Sequence, residues 1–399
     1  MGLVPRERAG SPPEPTPDEK NQRSAPRRNR LTRLALFGAV AAIFLLAAAC
    51  SKGFQSTWDP IGPVADKQLQ LFNVLLWTMV IVFVLVEGAL IYIVIRYRRR
   101  PGQPRPPQIH GHTALEVTWT IIPTALILGL GIWSVFTLFE LDQPPTDQGE
   151  ILNVTVTGHQ WYFEFEYPDA DGNGKRISTA NELKIPVDRP ISLILESDDV
   201  LHSFWVPKLG GKVDVVPTRQ NRLWLMADSD MIDQQLPATY YGQCAELCGV
   251  AHAQMRFRVT VMTEEDYQAW VANYGPPQAL TPRAQQGQTQ FQIHCALCHT
   301  VTGPEIESVA KSRIDSFLTG GDSVAVPGPN LTDLRTRQTL GAGIIDLTVE
   351  SLRDWIKNPD TIKPGNWMYD KAAFYEEDGD ATLTDDQIDT LIEYLLNLR

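Results

Sequence analysis

Three apolar runs mark the first third of the chain: Leu34 to Ala49, Leu69 to Ile95 and Val117 to Phe139. The last two are each long enough for a helix to cross a bilayer, which takes roughly 20 residues. The basic stretch Arg96-Tyr97-Arg98-Arg99-Arg100 lies between them and belongs on the cytoplasmic side, so both outer ends face outward. Residues 1–33 form a Pro-rich arm with eight Lys and Arg against four Asp and Glu, and are expected to be disordered on the inner side. The predicted path therefore runs out through the first segment, back through one helix and out through a second. Everything after about Glu140 is then extracytoplasmic. The first run is short, follows a basic flank and ends in Leu46-Ala47-Ala48-Ala49-Cys50, which reads as a secretory signal. Glu87 interrupts the second run, where a carboxyl group normally faces protein or water, and reads as a contact with a partner subunit.

From Ile151 to about Met262 the period changes to two. Residues 151–156, 161–165, 191–195 and 256–261 have the alternating, β-branched and aromatic composition of strands, and Asp169-Ala170-Asp171-Gly172-Asn173-Gly174 is a turn. An all-β sandwich or barrel is predicted. Pro276, Pro277 and Pro282 mark a linker to a small α-helical unit. Near its end Thr384-Asp385-Asp386-Gln387 forms a capping box ahead of the helical stripe Ile388, Leu391, Ile392 and Leu395. The expected organisation is an arm and signal segment over 1–50, a two-helix transmembrane hairpin over 60–142, an all-β domain over 145–272 and an all-α domain over 281–399.

The chain of 399 residues suits this division into several units. A net charge of −12 argues against nucleic acid as a partner, because phosphate contacts need clustered positive charge. Much of the acidity lies in residues 281–399, with ten Lys and Arg against 18 Asp and Glu. Such a surface suits docking of a basic donor, or is simply solvated. Five cysteines are too few for a disulfide scaffold.

Four of those cysteines fall into two constellations. Within residues 240–255, Cys244, Cys248, His252 and Met255 bring two thiolates, an imidazole and a thioether together, and His202 can add a second imidazole from a neighbouring strand. The thioether favours copper over zinc. A dinuclear copper centre would use Cys244 and Cys248 as bridges, His202 and His252 as terminal ligands, and Met255 and the Glu246 carbonyl as weak axial groups. A disulfide or a zinc site are the plainer readings of the same spacing. The second constellation, Cys295-Ala296-Leu297-Cys298-His299, is the pattern of covalent haem c attachment, with the two sulfurs bonded to the haem and His299 on the iron; a chance occurrence or a redox dithiol is the plainer reading of the same short motif. Met368 in Lys363-Pro364-Gly365-Asn366-Trp367-Met368 is the only methionine after His299 and so the candidate sixth ligand.

Residues 240–255 resemble the copper-binding loop of cytochrome c oxidase subunit II, and Ser197-Asp198-Asp199-Val200-Leu201-His202-Ser203 is similar to that family as well. Glu116-Val117-Thr118-Trp119-Thr120-Ile121-Ile122-Pro123 resembles the start of the family's second membrane helix, and Gly158-His159-Gln160-Trp161-Tyr162 its aromatic strand. The likeness covers about Trp58 to Arg399, with a cytochrome c domain appended, and Gly328-Pro329-Asn330-Leu331 resembles the haem-lining loop of such tethered cytochromes. Small residues before Cys50 also resemble a lipoprotein cleavage box, the alternatives being an uncleaved anchor or a plain signal.

The resemblance implies a cupredoxin-like fold holding a dinuclear copper centre called CuA, with haem c on the appended domain. It implies that an exposed Trp161 takes up electrons, that Glu116 lies near the mouth of a proton pathway, and that the Glu246 side chain reaches a magnesium ion shared with subunit I. Expected partners are oxidase subunits I and III, the bilayer of a bacterial cell membrane, and a quinol–cytochrome c reductase or small cytochrome c as donor. Electrons would pass from haem c to copper and on to haem a of subunit I, where O2 is reduced in a proton-pumping oxidase. Other classes with related parts are nitrous oxide reductase, which is soluble; a quinol oxidase subunit, which lacks the copper ligands; and an anchored cytochrome relay without an oxidase.

Overall fold

A computed structural model describes residues 53–104, 107–108, 111–145, 149–275, 279–301, 328–375 and 382–398, together with Leu34, Phe37, Gly38 and Val40. The basic arm, Cys50, most of the signal segment, and Pro276 and Pro277 of the linker lie outside the described residues.

Helices α1 (Pro63–Arg96) and α2 (Thr113–Leu141) span both long apolar runs and extend a few residues past them. Both are long and apolar enough to cross a membrane, and their side chains are largely exposed in the isolated chain, as suits contact with lipid or other membrane helices. The hydroxyls of Thr118, Thr120, Thr124, Ser134 and Thr137 each donate to the carbonyl four residues earlier, so their polar groups are satisfied within α2. Lys67 and Glu140 pair across the outer ends of the two helices. Glu87 is half-buried in α1.

Ten strands follow: β1 (Leu152–His159), β2 (Tyr162–Tyr167), β3 (Ile177–Ala180), β4 (Glu182–Pro186), β5 (Ile191–Ser197), β6 (His202–Trp205), β7 (Val213–Val215), β8 (Asn221–Leu225), β9 (Ala238–Cys244) and β10 (Arg256–Met262). They build two five-stranded sheets in the orders β3-β2-β1-β5-β8 and β4-β10-β9-β6-β7. The β1–β5 and β4–β10 pairs are parallel and the others antiparallel. Alternation decides which face is inward: every second residue of β5 and β9 is buried. Val154, Val156, Phe163, Phe165, Leu193, Phe204 and Phe257 meet between the sheets, with the Phe204 and Phe257 rings stacked 4.8 Å apart. The Asp169–Gly174 segment turns between β2 and β3, with Asp171 Oδ1 accepting from the backbone of Asn173 and Lys175. Helix α3 (Glu264–Asn273), capped by Thr263, packs Tyr267 and Val271 onto this core.

The C-terminal unit contains α4 (Pro282–His294), a short hairpin of β11 (Thr339–Leu340) and β12 (Ile345–Asp346), α5 (Val349–Lys357), α6 (Trp367–Lys371) and α7 (Asp385–Leu395). The Thr384 capping box forms as its sequence predicts. Helices α4 and α7 cross tightly: a Cβ on Gly287 would lie 1.9 Å from the Thr390 carbonyl oxygen. Phe291 and Tyr394 pack beside the crossing.

Sandwich and helical unit meet through buried polar groups. Asp333 is wholly buried; it accepts from the Thr179 hydroxyl at 3.0 and 2.9 Å, from Arg337 Nε at 3.1 Å and Nη2 at 2.7 Å, and lies 3.5 Å from Lys184 Nζ. Nearby, Glu182 Oε1 accepts from the backbone N–H groups of Gln338 and Thr339. Arg337 and Lys184 hold the Asp333 carboxyl below the usual carboxylate range despite the burial that opposes its charge.

Candidate metal centre and cofactor cavity

Strand β9 ends at Cys244, and the loop to β10 turns back so that Cys248, His252 and Met255 face it. The Cys244 and Cys248 Sγ atoms are 3.8 Å apart and unbonded. His202 Nδ1 lies 3.9 Å from Cys244 Sγ, His252 Nδ1 3.6 Å from Cys248 Sγ, and Met255 Sδ 3.8 Å from Cys248 Sγ. Cys244 Sγ also lies 3.2 Å from the Glu246 carbonyl oxygen, while the Glu246 side chain is exposed. All six sequence-selected groups are therefore in one cluster. The donor atoms of His202, Cys244 and Cys248 fall within 4.8 Å of one another. Two thiolates, two imidazoles, a thioether and a carbonyl fit a soft transition-metal ion.

The surroundings orient these donors. His202 Nε2 lies 2.8 Å from Asp199 Oδ1, which points Nδ1 toward the thiols. Burial opposes charge on His202, but its bonds to Asp199 and Cys244 outweigh that and raise its pKa. A Cβ on Gly158 would come 2.7 Å from the His202 ring, so β1 admits the imidazole only because this position has no side chain. The Cys248 thiol and His202 hold Cys244 far below the ordinary thiol range, to about 3, and the resulting charge drives Cys248 upward. A metal cation bound there would favour both sulfurs as thiolates and supply one-electron chemistry.

A second, largely apolar cavity lies between α4, α5, α6 and the outer strands of the first sheet. Cys295, Cys298, His299 and Met368 all line it, as do Trp161, Tyr162 and Asn181 from the sandwich. His299 Nδ1–H donates to the Pro329 carbonyl at 2.9 Å, which leaves Nε2 free for iron. A Cβ on Gly328 would stand 2.5 Å from the His299 ring. Burial pushes the Cys295 thiol up to about 12. Two sulfurs on one wall, an imidazole fixed by its far nitrogen and a thioether in the same cavity fit a covalently attached haem.

Trp161 joins the two sites. Its indole Nε1–H donates to the Cys248 carbonyl at 3.0 Å, and the Gln160 side chain donates to the same oxygen at 2.7 Å. The expectation of an exposed Trp161 is corrected: it is 7% exposed, because the helical unit covers it and Lys363 Nζ bonds its carbonyl at 2.5 Å. Burial lowers the Lys363 pKa to about 7. Glu116 lies far along the chain from both sites, in the first turn of α2, where its Oε1 accepts from the His112 N–H at 3.1 Å. Lys363 and Asp199 stand in the segments that carry Met368 and His202 but were given no role of their own in the sequence, and the Asp333 cluster carried no local signal.

Two helices apolar enough to span, a β-sandwich with a cluster suited to a soft metal and a helical unit with a cavity suited to haem fit a membrane-anchored redox protein. Comparison with known proteins agrees. Residues 50–137 match the transmembrane domain of cytochrome C oxidase subunit II, residues 170–262 its periplasmic domain, and residues 284–399 cytochrome c. The chain is 36% identical over 376 residues to cytochrome c oxidase subunit 2 of Bacillus sp. (strain PS3), which covers 92% of this chain and 96% of the relative. It is 34% identical over 372 residues to cytochrome c oxidase subunit 2 of Bacillus subtilis (strain 168), covering 90% and 96%. Quinol oxidase subunit 2 of Bacillus spizizenii is 34% identical over 246 residues, covering 60% of this chain and 72% of that protein.

The chain belongs to the cytochrome c oxidase subunit II family, with a fused cytochrome c domain. It is a membrane protein with extracytoplasmic domains and a part of the oxidase complex, associating with other subunits such as subunit I. Its domains imply copper and haem. The cupredoxin-like sandwich, the apolar helices and the helical cytochrome region are as expected from the sequence.

Proposed function

We propose that this chain moves single electrons from its cytochrome domain to its copper domain and on to haem a in subunit I of a proton-pumping oxidase that reduces O2 to water. Haem c and a dinuclear CuA centre supply the one-electron carriers. Cys244, Cys248, His202, His252, Met255 and the Glu246 carbonyl would hold the copper, the two thiolates shared between the ions, and the centre would supply one-electron chemistry there. Cys295 and Cys298 would hold the haem covalently, with His299 and Met368 supplying the protein groups for its iron. The exposed Glu246 carboxylate is free to reach a magnesium ion at the subunit I interface. Glu116 sits near the mouth of a proton pathway, its bond to His112 fixing the carboxylate at the membrane surface.

The observation that carries this reading is Trp161: one residue bonds the copper loop through its indole and lines the haem cavity. Trp161 therefore transmits electrons from its own cytochrome, and an external donor, a quinol–cytochrome c reductase or small cytochrome c, delivers to the cytochrome domain. Subunit III completes the assembly, and α1 and α2 form a multi-pass hairpin in the bacterial cell membrane, with Arg96–Arg100 inside. The test is Trp161→Phe in the full oxidase, which removes the bond to Cys248. Haem-to-copper electron transfer slows while copper and haem spectra persist; an unchanged rate removes Trp161 from the route.

A further inference from the structure

Three cations line the haem cavity, Arg337, Lys363 and Lys371, and among the described residues no Asp or Glu does. Arg337 has its counter-ion in Asp333 and Lys371 is exposed, so Lys363 is the buried cation with no carboxylate partner among the described residues. Lys363 is 5% exposed; its Nζ donates to the carbonyl oxygens of Trp161 at 2.5 Å and Gly341 at 3.4 Å. An ammonium group has three N–H donors, so one is left over. Arg337 commits Nε and Nη2 to Asp333 and Nη2 also to the Asn330 carbonyl, while Nη1 bonds nothing among the described residues. Asp333 is itself engaged by Thr179, Arg337 and Lys184, outside the cavity wall. A neutral donor would satisfy the Trp161 carbonyl equally well. A charged one in an apolar cavity is strongly disfavoured unless an anion joins it.

The group that the cavity fits carries such anions, the carboxylates of its propionate arms. We propose that Lys363 binds a carboxylate of the haem and, through its bond to the Trp161 carbonyl, fixes the haem seat against the residue that meets the copper loop. This rests on the haem reading of Cys295 and Cys298. Lys363 is well placed for it, since it stands in the same loop as Met368. That loop is braced by Asn366 Nδ2 donating to the Lys363 carbonyl at 2.8 Å and by the Gly365 N–H donating to Asp360 at 2.7 Å. One loop thus carries an iron ligand, a carboxylate anchor and the contact to Trp161.

The test uses the complete oxidase with haem and copper bound. Lys363→Gln keeps an N–H donor for the Trp161 carbonyl but removes the charge; Lys363→Arg keeps the charge. The readouts are the haem c midpoint potential and the haem-carboxylate bands of the redox-difference infrared spectrum. A buried cation favours the reduced haem, so Lys363→Gln shifts the equilibrium about tenfold toward the oxidised form, about 59 mV for one electron. It also moves a carboxylate band, whereas Lys363→Arg keeps the potential near that of the parent. If Lys363→Gln fails to take up haem, Lys363→Met gives the same reading of the potential. A potential and carboxylate bands unchanged on loss of charge overturn the proposal, as does a shift confined to the copper spectrum. Failure of the haem reading itself looks different: the parent chain would hold no covalent haem.

Discussion

Removing the Asp333 carboxylate tests what holds the cytochrome domain to the copper domain. In Asp333→Ala, Arg337 and Lys184 remain in the interface at 8% and 4% exposure without their shared anion, and the Thr179 hydroxyl loses its acceptor. Breaking a buried pair by deleting one partner costs about 3–5 kcal/mol. Lys184 limits the loss, because burial already lowers its pKa and it can shed its proton. Taking the lower end, about 3 kcal/mol, the unfolding midpoint of the cytochrome domain falls by roughly 10 °C. The assay is thermal unfolding of the solubilised complex, followed separately by the methionine–iron band and the near-infrared copper band. The same carboxylate sets an acid limit. Its folded pKa is lowered, so its contribution is complete above the unfolded value of about 3.9 and is lost as pH falls through the folded value. The parent therefore loosens below about pH 4, and Asp333→Ala loses that acid limb. A variant whose cytochrome transition matches the parent would refute the network as the latch.

Cys244→Ala abolishes the near-infrared copper band and leaves the haem spectrum, read by absorption on the membrane-purified complex. Met368→Ala changes the axial ligation of the haem iron while denaturing gels still show haem bound covalently, because Cys295 and Cys298 are untouched. Gly287→Ala drives Cβ into the Thr390 carbonyl where α4 crosses α7, costing at least about 1–3 kcal/mol of cytochrome-domain stability in chemical unfolding.

Elements with a strong local period could be read directly from the chain: both membrane helices, the strands at 151–156 and 191–195, and the capping box at Thr384. The candidate donors could be picked out as readily, because metal and haem chemistry fixes residue types at short spacing, and the structure brings them into one cluster and one cavity. Strands β6 and β7 span few residues, and their period is too brief to read. Contacts between distant segments were not legible. Glu182 and Lys184 alternate with Leu183 and Ile185 as solvent-facing charges would, yet both are buried because the cytochrome domain supplies partners more than 140 residues further on. Trp161 differed for the same reason: it sits in the turn between β1 and β2, but what covers it is the helical unit, with Lys363 on its carbonyl.

The proposed electron route stands on Cys244 and Cys248 holding a copper pair beside a haem fixed to Cys295 and Cys298. Electron paramagnetic resonance of the membrane-purified complex, scaled to its copper and haem content, reads that pairing. The expected spectrum is a hyperfine pattern from one unpaired electron shared over both coppers, alongside covalently bound haem. Zinc in their place, or a pattern from a single isolated copper, rules the route out.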